Sequence, residues 1–138
     1  MGGFRLLAHT ADMGIEATAA SLEGVFIEAA RGLRSIIFGE TPIAATREVP
    51  VEVRGADSGE LLVGWLSEIL YLFEVHGLAP ADFVVDEITG GTLRGKVKGE
   101  SFDPSRHPVE REVKAITYHQ LNVAKDAAGW WARLYVDL

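Results

Sequence analysis

Two stretches of the chain place apolar residues three and four positions apart, the spacing that gathers them on one face of a helix. The first covers residues 21–38; it begins at a serine suited to cap a helix and is followed by Gly39, which favours a helix end. The second covers residues 58–76, with Asp57 in a capping-box-like start and Gly77 as its stop. Because the second stretch is apolar on most sides, we expect it at the centre of the core.

Much of the remaining chain alternates apolar and polar residues, as half-buried strands do. Pro50 indicates an edge strand, and Gly90-Gly91 and residues 127–129 are typical of hairpin turns. The predicted strands cover residues 15–19, 49–53, 83–88, 93–98, 115–123 and 131–136. This pattern predicts one α+β domain over residues 1–138, with a mainly antiparallel, mixed β-sheet and both long helices packed on it.

Composition narrows the class of protein further. The absence of cysteine excludes a disulfide scaffold, thiolate zinc, an iron–sulfur cluster and a cysteine nucleophile. Twenty acidic residues against 13 Lys and Arg give a net charge of −7, which disfavours non-specific binding to nucleic acid. The first residues lack the apolar region of a signal peptide, and the longest apolar stretch is too short to span a membrane. We therefore expect a cytoplasmic protein without a membrane partner.

Basic residues are concentrated in one predicted strand. Arg94, Lys96 and Lys98 alternate along it, so they share one face of the sheet. The pattern favours a solvated outer face, and a contact for RNA or another anionic partner is the alternative.

Two acidic segments are candidates for binding a cation. His9, Thr10 and Asp12 lie in a loop between two predicted strands, where they suit a cation or a phosphate, or else form a simple Asx-type turn. Asp137 and the main-chain carboxylate of Leu138 are two anions close together, which repel unless a cation or a lysine neutralises them. Such oxygen donors suit Ca²⁺, Mg²⁺ or Mn²⁺; an exposed tail is the alternative.

The other polar candidates carry weaker signals. Residues 114–119 hold a lysine, a tyrosine and a histidine suited to contact phosphate or carboxylate groups. His107 is expected in a solvated loop, and the four histidines lack the spacing of a zinc site. Nucleotide-binding glycine motifs, a nucleophile elbow and an EF-hand loop are absent from the sequence.

Five sequence blocks, in order along nearly the whole chain, resemble the archease family. They are HTADMGI at 9–15, SLE at 21–23, LLVGWLSEILYL at 61–72, KAITYH at 114–119 and GWWARLYVDL at 129–138. The family often ends in Phe-Asp-Leu or Phe-Asp-Ile, where this chain has Val136 before Asp137.

The resemblance implies an accessory protein rather than an enzyme. Archeases assist the RtcB-type RNA-splicing ligase, which joins RNA ends with GTP and Mn²⁺, by promoting guanylylation of its active-site histidine and multiple turnover. RNA would then be contacted only indirectly. The resemblance also implies a divalent cation, commonly calcium, with Asp12, Asp137 and Leu138 as ligands, while Lys114 and His9 would serve in activating the partner.

Two other functions remain open from the residues. A metal-dependent phosphohydrolase would use Asp12, His9 and Lys114, but the sequence offers no nucleophile–base pair and too few carboxylates for two metals. A chaperone-like interaction module would expose apolar surface at Trp130 and Trp131, although one core and one edge aromatic is the interpretation we favour for this pair.

Overall fold

In the computed structural model, which describes residues 2–8 and 11–138, the chain forms two helices and eight strands. The helices are α1 (Leu22–Phe38) and α2 (Ser58–Glu74). The strands are β1 (Gly3–Ala8), β2 (Asp12–Ala19), β3 (Arg47–Arg54), β4 (Leu78–Thr89), β5 (Thr92–Ser101), β6 (Ala115–Ile116), β7 (Asn122–Asp126) and β8 (Gly129–Asp137).

Both helices begin at the predicted caps. The Ser21 hydroxyl accepts a hydrogen bond from the N–H of Gly24, and the Asp57 carboxylate accepts one from Glu60. Helix α2 ends slightly before its predicted end, and Gly77 beyond it takes a φ of 65°. Within the described residues, no helix is long and apolar enough to cross a membrane.

The described strands form two sheets, and every strand pairing in them is antiparallel. The five-stranded sheet has the order β1-β2-β8-β6, with β7 also paired to β8, and the three-stranded sheet has the order β3-β5-β4. The α+β class is confirmed, and Pro50 lies on an edge strand as predicted. The expected mixed sheet is replaced by two antiparallel ones, because alternation identifies a strand without identifying its neighbours.

The core lies around the two helices, which each contact strands of both sheets. Helix α2 supplies Trp65, which is fully buried and donates a hydrogen bond from Nε1 to the carbonyl of Phe26 on α1, at 3.0 Å. The five-stranded sheet contributes buried side chains to the same core, among them Ile15 on β2 and Leu134 on β8. Trp130 packs against this core, whereas Trp131 occupies the next position along β8, on the other side of the sheet.

The predicted strand over residues 115–123 is wrong in its middle. Only Ala115–Ile116 pairs there, and the next strand begins at Asn122. Between them the Thr117 hydroxyl donates to the carbonyl of Tyr135 at 2.8 Å, and Gln120 adopts a φ of 51°. A side-chain hydrogen bond and a left-handed residue therefore interrupt the strand.

Candidate functional site

The predicted acidic residues meet at one end of the five-stranded sheet. Asp12 is the first residue of β2 and Asp137 the last of β8, and the two are directly opposite in the antiparallel register. Opposite residues in such a pair have Cα atoms about 4.5–5.5 Å apart and side chains on the same face. The tertiary structure thus brings together two carboxylates that are far apart in sequence.

Leu138 and Lys114 are held beside this pair by main-chain hydrogen bonds. The Leu138 N–H donates to the carbonyl of Ala11 at 3.3 Å, and the Lys114 N–H donates to the carbonyl of Asp137 at 2.9 Å. The Lys114 side chain is exposed and forms no ion pair within residues 2–8 and 11–138. Its ammonium group therefore does not neutralise Asp137. His9, the remaining predicted site residue, lies outside the described residues.

The donor set at this end fits a hard divalent cation. Asp12 and Asp137 offer carboxylate oxygens, and one Asp12 oxygen is buried. Oxygen donors of this kind are those that Ca²⁺, Mg²⁺ and Mn²⁺ take in proteins. In the described part of the chain, no three His, Cys, Asp or Glu side chains are arranged to hold a metal. Among the described residues, this end of the sheet therefore offers two carboxylate side chains to an ion.

An aromatic side chain borders the acidic pair. Tyr135 is the next residue along β8 on the same face as Asp137, and it lies directly opposite Gly14. A Cβ atom at Gly14 would lie 2.9 Å from Cε2 of the Tyr135 ring, so the ring lies across β2 only because position 14 is glycine. The His119 ring meets the Tyr135 ring edge to face, with centroids 5.5 Å apart.

The segment 114–119 is thereby attached to β8 beside the acidic pair. Thr117 donates to the carbonyl of Tyr135 from both its N–H and its hydroxyl, and the His119 N–H donates to the Thr117 hydroxyl. Tyr135 and Asp137 share a face because they are alternate residues of β8. The contact with His119 could not be predicted, since it depends on how the intervening turn folds.

A second polar cluster surrounds Glu100, which is almost fully buried. Its carboxylate accepts hydrogen bonds from the N–H of Ala44 at 2.8 Å and from Arg106 at 3.1 Å. His107 is completely buried, so the expectation of a solvated loop is wrong; its Nδ1 accepts from Asp103, and its Nε2 donates to Glu100 at 3.0 Å.

These contacts indicate that Glu100 has a structural role, because its carboxylate binds groups from two different loops. The N–H of Ala44 is the main reason that the pKa of Glu100 lies below its usual value, and His107 and Arg106 lower it further. The cluster ties the segment before β3 and the loop after β5 to one another. Sequence reasoning missed it, because a lone glutamate at a strand end carries no signal of burial.

The basic residues of β5 are ion-paired across the three-stranded sheet. Arg94 lies 3.1 Å from Glu87 and 3.6 Å from Glu52, Lys96 lies 3.2 Å from Asp86, and Lys98 has a longer pair with a strand β3 glutamate. These cations alternate with buried residues, as the shared face predicted. Their pairing with neighbouring carboxylates favours the solvated outer face over an RNA contact.

Comparison with known proteins identifies the family. A sequence model of the archease protein family matches residues 4–138. The chain belongs to the archease family. It is 38% identical over 135 residues to protein archease of Methanopyrus kandleri, covering 96% of each chain, and 41% identical over 134 residues to that of Pyrococcus furiosus, covering 94% of each.

The fold of this archease is also that of a solved relative. The solution structure of Methanobacterium thermoautotrophicum protein 1598 matches it with a TM-score of 0.85 at 29% identity, over 99% of both chains. The family resemblance and the fold class inferred from the sequence are both confirmed.

Proposed function

We propose that this archease is an accessory protein that activates an RtcB-type RNA-splicing ligase in the cytoplasm. It would promote GTP-dependent guanylylation of the ligase and multiple turnover, and would contact RNA only through the ligase. Family membership supports an accessory role. The observation that carries the proposal is the direct opposition of Asp12 and Asp137 at one end of the five-stranded sheet.

We assign Asp12, Asp137 and Leu138 as ligands of a divalent cation, with calcium as the ion that the family resemblance implies. When bound, such an ion supplies positive charge that offsets the two carboxylates and attracts phosphate oxygens. The register of β2 and β8 holds the two carboxylates side by side, and the hydrogen bond from Leu138 to Ala11 holds the adjoining main chain. Strand pairing would thus position the two proposed carboxylate ligands.

We assign Lys114 a contact with the ligase. Its main chain is fixed to Asp137, while its side chain is exposed and not ion-paired within the described residues. Its ammonium group is therefore available to a phosphate or a carboxylate of the ligase complex. His9 belongs to the same proposal from the sequence alone.

The test is a guanylylation assay with the cognate ligase, GTP and Mn²⁺, in which covalent guanylate is followed over time. We expect Asp12→Ala and Asp137→Ala to lose most of the stimulation. Asp86→Ala is the matched control, because Asp86 is also an exposed strand aspartate but lies on the other sheet and pairs with Lys96. Full stimulation by both acidic-pair variants would contradict the proposal, as would hydrolysis of phosphate esters by the purified protein with divalent metal.

A further inference from the structure

One side of the five-stranded sheet faces away from the helices. On β8 the residues Ala132, Leu134 and Val136 are buried in the core, and the alternate positions point the other way. These alternate positions are Trp131, Arg133, Tyr135 and Asp137. We call this side, together with the facing residues of β2, the open face.

Arg133 on the open face has an unsatisfied guanidinium. Its Nε atom is inaccessible to solvent and has no hydrogen-bond acceptor, and Arg133 forms no ion pair in the described part of the chain. Glu16, directly opposite in the register, pairs instead with Arg5 at 2.7 Å. The guanidinium lies over the Trp131 ring, 5.3 Å from its centroid. The terminal nitrogens of Arg133 also form no hydrogen bond in the described part of the chain, and unlike Nε they can be reached by an acceptor from outside.

The chemistry of the open face favours a protein over a nucleic acid. Tryptophan, tyrosine and arginine are the residues that dominate binding energy at protein interfaces. A nucleic acid would meet the carboxylates of Asp12, Glu16 and Asp137 on the same face, on a chain of net charge −7. A carboxylate from a protein would instead satisfy Arg133 with a charge-assisted hydrogen bond.

We propose that the ligase docks on the open face, with one of its carboxylates paired to Arg133 between Trp131 and Tyr135. This inference rests on the proposed function. Alternate residues along a strand are about 6.6–6.8 Å apart, so Arg133 and Asp137 are separated by about 13 Å. A ligase seated on Arg133 would consequently have the acidic pair at the edge of the same interface.

The experiment measures binding separately from activation. Because the chain contains no cysteine, Thr18→Cys labels the open face with a single fluorophore, and Lys98→Cys labels the other sheet as a control. Adding ligase should change the emission at position 18 and leave position 98 unchanged. Arg133→Gln should weaken the Kd about tenfold, as expected for a central charged contact, whereas Lys98→Gln should change it less than twofold.

Further measurements make the inference falsifiable. Arg133→Gln should unfold no more than about 5 °C below wild type, since within the described residues Arg133 has no ion pair to lose and gives up only its contact with the Trp131 ring. Asp137→Asn lies at the edge of the interface, about 13 Å from Arg133, so it should lose most of the activation while its Kd changes less than that of Arg133→Gln. Equal affinity of Arg133→Gln and wild type, or a response at position 98 instead of 18, would overturn the docking surface. The docking surface would also be overturned if Arg133→Gln kept its affinity for the ligase but lost binding to an oligoribonucleotide. The same holds if the variant kept that affinity but lost self-association. Failure of the wild-type protein to stimulate guanylylation would count against the proposed function, whichever label responds.

Discussion

Replacing Asp137 by asparagine should make the order of stability of variant and wild type depend on calcium. Asp12 and Asp137 are directly opposite on neighbouring strands. Two unit charges about 5 Å apart repel by about 1 kcal/mol in a water-like medium and by about 3 kcal/mol at an effective dielectric constant of about 20. Asp137 is exposed, so the lower value applies. In a chelator, Asp137→Asn should therefore be at least as stable as wild type, by up to about 1 kcal/mol, or about 3–5 °C in a chain of this size, because other contacts of Asp12 offset part of its charge.

Calcium should invert this order. A ligand that binds only the folded state at 100 times its Kd adds about 2.7 kcal/mol to the stability. This gain exceeds the repulsion in the wild type, whereas the variant lacks one of the proposed ligands and should gain much less. The wild type should thus become the more stable protein at saturating calcium.

The assay is thermal unfolding of both proteins, in a chelator and across a calcium titration. Asp86→Asn is the control, because Asp86 pairs with Lys96 on the other sheet and its loss should neither stabilise the protein nor alter the calcium response. A variant less stable than wild type in the chelator would refute the repulsion argument. An equal calcium-induced rise in both proteins would refute the assignment of Asp137 as a ligand.

Three further predictions concern packing and pH. Gly14→Ala should cost about 1–3 kcal/mol in urea unfolding, because its Cβ would meet the Tyr135 ring at 2.9 Å; unchanged stability would contradict this packing. Trp65→Phe should cost at least about 2 kcal/mol in the same assay, from lost buried volume and a lost hydrogen bond; a loss below about 1 kcal/mol would be inconsistent with the buried position. Because the pKa of Glu100 is lowered, chiefly by the N–H of Ala44, its carboxylate stabilises the fold above the unfolded pKa of about 4.3, and this stability is lost as pH falls through the folded pKa. Glu100→Gln should therefore be less stable than wild type at pH 7, with the gap in melting temperature narrowing toward pH 3; a gap that widens in acid would contradict the assignment.

Local interactions explain why the helices could be predicted. Ser21 and Asp57 cap the helices that follow them through contacts within three residues, so the signal lies in adjacent sequence. The hairpin turn at Gly90-Gly91 is equally local, since both residues take the positive φ that a tight turn requires. Residues 115–123 alternate apolar and polar side chains as a strand does, which is why a strand was predicted there. The strand is interrupted because the Thr117 hydroxyl donates a hydrogen bond to the carbonyl of Tyr135, which is distant in sequence.

The sequence by itself determined the α+β class, the caps of the helices and the acidic character of two distant segments. Only the tertiary structure decided that Asp12 lies opposite Asp137, that Tyr135 covers Gly14 and that Arg133 lacks an acceptor. The physical reason is that strand alternation specifies which side chains share a face, whereas register between distant strands is set by how the whole core packs. The candidate site is a product of that register.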